Sequence, residues 1–132
     1  MCGRSKKTFQ DSQGQALVEF VLVALVLIVI MSGVFDLGRA YKAHIVINNA
    51  AREGAFYGAL HPWDEDGVGL RAVAEAYNSG IVIETSDVAM STSGVSGSPV
   101  IVTVDYDFHL FSSWLVGVAT LPLQGRAEMV VY

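Results

Sequence analysis

Twenty residues from Ala16 to Phe35 form an apolar run broken by a single charge, Glu19, and from Phe20 to Val34 (FVLVALVLIVIMSGV) there is no charge at all. At about 1.5 Å per residue, a helix of that length measures roughly 30 Å, the thickness of a bilayer's hydrocarbon core. The run is read as a transmembrane helix, and the rest of the chain must be arranged around it. With 132 residues the chain is short for two ordinary domains, and its 52% apolar content leans away from a plain soluble protein largely because of this one segment.

Charge sets the direction of the span. Arg4, Lys6 and Lys7 precede it, and short flanks rich in Lys and Arg stay in the cytoplasm, so the N-terminus is expected inside and the bulk of the chain outside. Arg39 and Lys42 follow the span, with Asp36 beside them. Residues 1–60 carry six Lys or Arg against four acids, whereas residues 61–132 carry two against nine. An exported part this acidic is a poor match for nucleic acid. The single cysteine, Cys2, lies before the span with no partner for an intrachain disulfide and no preceding apolar stretch of the kind a lipid-attachment site needs.

Residues 1–14 (MCGRSKKTFQDSQG) are polar and basic, and the apolar region follows Gly14 rather than preceding a cleavage site, the reverse of a secretory signal. Beyond the span, Leu37, Tyr41, Ile45, Asn48 or Asn49, Arg52 and Phe56 recur at helical steps, and no proline intervenes before Pro62. One helix of about 45 residues, 15–60, is therefore expected, its second half standing clear of the bilayer. Ala43, Ile47, Ala50, Ala51, Gly54 and Gly58 fall near one face of that stalk. Such small residues let another backbone approach closely, whether a sheet of the same chain or a neighbouring helix.

His61-Pro62-Trp63 ends the helix, because proline disfavours helical geometry at the residue before it. Asp64 to Gly69 (DEDGVG) is read as a solvated loop, and Leu70 to Tyr77 as a short amphipathic helix with Leu70, Val73, Ala74 and Tyr77 inward. From Ile81 the period changes to two. Strands are expected around Ile81–Met90, over Val100–His109 with Val100, Val102, Val104, Tyr106 and Phe108 on one face, and over Arg126–Tyr132. The apolar connection LFSSWLVGVATLPL separates the last two, and its cluster of Leu110, Phe111, Trp114, Leu115 and Val116 is either core or a docking surface for another subunit or a membrane. The fold class expected is α+β: a long N-terminal helix, then an acidic head, 61–132, with a short helix and a three-stranded antiparallel sheet. A 72-residue head without disulfides is near the lower limit for a self-sufficient core, so its sheet is expected to pack on the stalk.

A carboxylate at bilayer depth is costly, although Glu19 lies near the end of the span, where a hydrated interfacial position is the plain alternative. The stretch GQALVEF, residues 14–20, resembles the prepilin cleavage signature, and GQALVEFVLVALVLIVI followed by FDLGRAYKAHIVINNAAREGAFYGA resembles the N-terminal region of TadE-like proteins, pilin-like components of the tight-adherence pilus system. VTVDYDF and the closing GRAEMVVY are similar to that family's short sheet by pattern. The resemblance implies cleavage after Gly14 by a prepilin peptidase, Gln15 as the new N-terminus, and Glu19 as fifth residue with the aromatic Phe20 next. It further implies a minor pilin or pseudopilin anchored in the inner membrane and passed to a pilus, with other pilin-like subunits, an inner-membrane assembly platform and the bilayer as partners. Glu19 would then set register between subunits. The competing expectation is an uncleaved single-span protein whose head serves as a receptor or assembly scaffold.

No cofactor is implied. Asp64, Glu65 and Asp66 lack the spacing of an EF-hand, and His44, His61 and His109 are too scattered for a zinc site. Ser113 and His109 are near each other only in sequence, without a glycine-framed serine elbow or a phosphate-cradling loop, so catalysis is not expected.

Overall fold

The computed structural model describes the backbone from Lys7 to Tyr132 and side chains from Gln13 onward; Cys2, Arg4 and Lys6, in the early part of the basic leader, lie outside the described residues. Helix α1 runs unbroken over Lys7–Leu60, 54 residues, or about 81 Å. It begins eight residues before the expected start at Gln15. Between Lys7 and Gln13 there is neither proline nor glycine, and Gly14 alone costs a helix only about 1 kcal/mol. At the other end His61 N donates to Tyr57 O at 2.9 Å, and Pro62 stops the ladder.

Helix α2, Glu65–Asn78, occupies residues expected partly as loop. Asp64 is its N-cap, accepting the Gly67 amide at 2.9 Å, and Glu65 and Asp66 stand in the first turn, where the helix dipole favours acids. The acidic triplet is therefore a helix start rather than a solvated loop. Its buried face is also rotated from the expected one: Val68, Gly69, Ala72 and Ala76 face inward, while Leu70 and Tyr77 are 63% and 70% exposed. Small residues win because they let α2 lie close against α1. A methyl group at Gly58 would meet Val68 Cγ2 at 3.2 Å and Val100 Cγ1 at 3.0 Å, and one at Gly54 would meet Val102 Cγ1 at 3.3 Å.

The sheet has three antiparallel strands, β1 (Val88–Thr92), β2 (Pro99–His109) and β3 (Thr120–Val130), in the order β1-β2-β3. The first strand starts later than expected. Ile81 and Ile83 enter the core as extended chain, and then Glu84 and Asp87 close a 3-10 turn reciprocally, Glu84 N donating to Asp87 Oδ2 at 2.9 Å. The last strand starts six residues earlier than expected, so that Thr120–Leu123, within the expected connection, pair with His109–Tyr106. Alternation along β2 is as expected: Val100, Val102, Val104 and Phe108 are buried, and Asp105, Asp107 and His109 are exposed. This face lies on α1 residues Ala43, Val46, Ile47, Ala50, Ala51 and Ala55 in one core. At the chain's end Tyr132 N donates to Ala59 O at 3.2 Å, tying the sheet to the top of the stalk. The architecture is α+β, a long apolar helix carrying a short helix and a three-stranded sheet.

Candidate functional site: the uncovered helix and the apolar end of the sheet

Helix α1 is covered by the head only from Asp36 upward. Below it, Leu17 to Phe35 leave nearly every apolar side chain exposed, the pattern of a helix built for lipid or for other helices. Gly14, Gln15, Glu19 and Phe20 all sit within this uncovered stretch and are exposed, Phe20 by 71%. The Gly14–Gln15 bond lies inside continuous helix.

The small-residue face is placed differently. Ala43, Ile47, Ala50, Ala51, Gly54 and Gly58 are buried under the chain's own sheet and α2, so no neighbouring helix reaches them while the head is in place. The closest approach involves β3: a methyl group at Gly125 would lie 2.6 Å from Ile47 O and 2.9 Å from Asn48 N. Asn48 Oδ1 accepts the Arg126 amide at 3.3 Å at the same crossing. What α1 still offers beyond the apolar run is the opposite edge, with Leu37, Tyr41, Ile45 and Phe56 exposed.

Phe111, Trp114 and Leu115 lie between β2 and β3, where Ser113–Val116 form the single turn α3. All three are exposed, Trp114 by 79%, and they do not belong to the core. They face the uncovered helix across an apolar groove of about 570 Å³, whose other wall includes Phe20, Leu25, Ile28 and Val29.

This end of the sheet is held by Asp36, which in the sequence is only a charge beyond the apolar run. The residue is 2% exposed. Oδ1 accepts the Phe111 amide at 2.9 Å, Oδ2 accepts the Ser112 amide at 2.8 Å and the Ser112 hydroxyl at 2.6 Å, and Arg39 Nη1 lies 3.3 Å from Oδ1. Arg39 also stands over the Phe108 ring, 5.1 Å from its centroid. A lone acid directly after an apolar run was the available signal, but its partner 76 residues away was not.

A second polar latch closes the top of the stalk. Tyr57 hydroxyl donates to Asp64 Oδ2 at 2.8 Å, and the Tyr57 ring stacks on His61 at 4.6 Å between centroids. The hydroxyl, helped by the Gly67 amide, holds the Asp64 carboxyl below its ordinary value, and the same bond pushes the Tyr57 phenol up. Among the described residues, no three His, Cys, Asp or Glu side chains cluster as metal ligands would.

No match to the chain was found among curated proteins or among solved structures. A family model described as TadE-like protein does match, from Gly14, the first residue of GQALVEF, to Ala55. The segment that forms the uncovered helix and most of the stalk, residues 14–55, is thus TadE-like, as its resemblance to that family of tight-adherence pilus proteins led us to expect.

Proposed function

We propose that this chain is a minor pilin-like subunit of a tight-adherence pilus, held first in the cytoplasmic membrane with its N-terminus inside and its head outside. A TadE-like segment suggests a pilus-associated protein of structural rather than enzymatic kind, and the reading goes further in three respects. Residues 1–14 act as a leader removed by a prepilin peptidase, 15–60 as the helix that anchors and then packs in the filament, and 61–132 as the exported head. The observation that carries it is the family match starting at Gly14, where the cleavage-like signature also starts.

Cleavage would create an α-amine on Gln15 with a pKa near 7.7 to 8, mostly protonated at neutral pH. Glu19 lies four residues on, roughly 6 Å along the helix axis. A neighbouring subunit offset by that distance brings its amine to the Glu19 carboxylate, and in a low-dielectric bundle such a pair is stable only when both charges are present. Glu19 thereby sets register during assembly, beside other pilin-like subunits and the inner-membrane platform that drives them.

The test is the mass of the chain in two pools. Chain from sheared pili should lack residues 1–14 and begin at Gln15, while replacement of Gly14 should leave full-length precursor in the membrane. Full-length chain recovered from pili overturns the proposal. A second reading, an uncleaved single-span protein whose head acts as receptor or scaffold, is favoured by one observation: α1 passes through Gly14–Gln15 without a break, so a peptidase must first unwind that turn. It predicts an intact leader and no chain in the pilus fraction.

A further inference from the structure

Strand β2 descends the helix, and three contacts mark the descent. Phe108 lies beneath the Arg39 guanidinium, then the amides of Phe111 and Ser112 meet Asp36, and then Phe111, Trp114 and Leu115 face Ser32, Val29 and Ile28 across the apolar groove. Asp36 is the first residue past the apolar run, so whatever continues below it along the helix shares the medium of the span. We infer that the end of the β2–β3 hairpin, residues 110–119, is a second membrane-contacting element, dipping into the outer leaflet beside α1 with phospholipid acyl chains filling the groove. This rests on the proposal that residues 16–35 cross a bilayer.

Chemistry on both sides of Asp36 fits that depth. Leu110 to Leu123 contains no charged residue. Phe111, Trp114, Val116 and Val118 are between 47% and 79% exposed, a contiguous patch that water would disfavour. Backbone polar groups entering lipid must be bonded internally. Six of the ten amides of residues 110–119 are so bonded: those of Leu110, Leu115, Val116 and Gly117 donate to carbonyls within the segment, and those of Phe111 and Ser112 donate to Asp36. Above Asp36 the surface turns basic, with Arg39 and Lys42 at headgroup height beside Phe108 and Tyr106. The groove is continuous with the lipid-facing surface of the span, which favours acyl chains over a second protein as its occupant.

Full-length Trp63→Phe protein, which keeps Trp114 as its one tryptophan, would be reconstituted at low density into phosphatidylcholine vesicles containing lipid with a nitroxide on the acyl chain. Trp114 emission should be blue-shifted and lose most of its intensity to the nitroxide. As reference, a Leu27→Trp probe, exposed on the span and outside the groove, in a Trp63→Phe, Trp114→Phe background reports the span itself. Quenching of Leu27→Trp without quenching of Trp114 overturns the inference and leaves the span standing; absence of quenching in both removes the transmembrane reading with it. Independently, in a Cys2→Ser background, Trp114→Cys should resist a membrane-impermeant maleimide under conditions that label Ser96→Cys in the exposed β1–β2 turn. Labelling of Trp114→Cys, or its disulfide capture of a second copy in the same vesicles, overturns the inference.

Discussion

Asp36 and Ser112, 76 residues apart, are joined by two hydrogen bonds to one carboxylate oxygen, the hydroxyl at 2.6 Å and the amide at 2.8 Å. The second oxygen takes the Phe111 amide. One side chain just past the apolar run therefore holds Ser112, the residue that precedes the single turn α3, together with Phe111 before it, while Ser112 makes no side-chain cap bond to the turn. The consequence is that the lower end of the sheet is fixed to the helix at the first residue past the apolar run.

Asp36→Ala should free the hairpin end without unfolding the sheet, because the paired registers of β1 and β2 lie in the buried core above it. Amide exchange at Phe111 and Ser112 should rise to that of an open loop, while exchange at Val102 and Val104 stays slow. Ser112→Ala removes the hydroxyl bond and keeps both amide bonds, so its effect should be intermediate. Hydrogen exchange on detergent-solubilised chain distinguishes the three cases, and unaltered protection in Asp36→Ala would remove the latch from the account.

Gly125→Ala should be among the most damaging single changes in the head. The new methyl would meet the Ile47 carbonyl at 2.6 Å, and backbone on both sides leaves no flexible side chain to yield. Overpacking of this kind costs about 1–3 kcal/mol or more. Gly38→Ala is the control: it lies on exposed helix with nothing within 4 Å of the added carbon, and helix propensity favours alanine by about 1 kcal/mol. Urea midpoints should fall for the first and hold or rise for the second.

The long helix and the middle strand could be read from sequence because their patterns repeat over many residues: apolar all round from Phe20 to Val34, period two from Val100 to His109. Where packing is decided by small residues the reading failed. Leu70 and Tyr77 looked like the inner face of α2, but Gly54 and Gly58 on α1 make room only for a helix that presents Val68, Ala72 and Ala76. Thr120–Leu123 was hidden by an unbroken apolar stretch containing Pro122, which β3 tolerates as an edge strand. Of the candidate sites, Trp114 and Phe111 were visible as residues, whereas the Asp36 contact that fixes where they point depends on tertiary structure and left no local trace.

The Tyr57–Asp64 bond should give the head a stability that depends on pH at both ends of the scale. Asp64 titrates below its ordinary 3.8 in the folded chain, chiefly because the Tyr57 hydroxyl donates to it. Its contribution is complete above 3.8 and is lost as pH falls through the folded-state value. Tyr57, raised above 10.0 by the same bond, contributes fully below 10.0 and loses that contribution as pH climbs through its folded-state value. Tyr57→Phe should flatten both limbs of a plot of urea midpoint against pH and change the plateau between them least in slope. A wild-type slope retained in the variant would assign the dependence to other groups.

Glu19→Gln separates membrane anchoring from assembly. The amide keeps nearly the shape of the carboxylate but has no charge to offer the Gln15 amine of a neighbour, while Gly14 and the apolar run that a peptidase and a bilayer would recognise are untouched. Leader removal and membrane content should therefore match wild type. Docking should suffer, since a loss of only about 1.4 kcal/mol in pairing is tenfold in occupancy. Quantifying the chain in sheared pili against the membrane pool reads the ratio directly, with about a tenfold fall expected in the variant. Glu19→Asp, which keeps the charge on a side chain one methylene shorter, should recover part of the loss. Equal pilus content in all three would mean that Glu19 is only a hydrated residue at the end of the span.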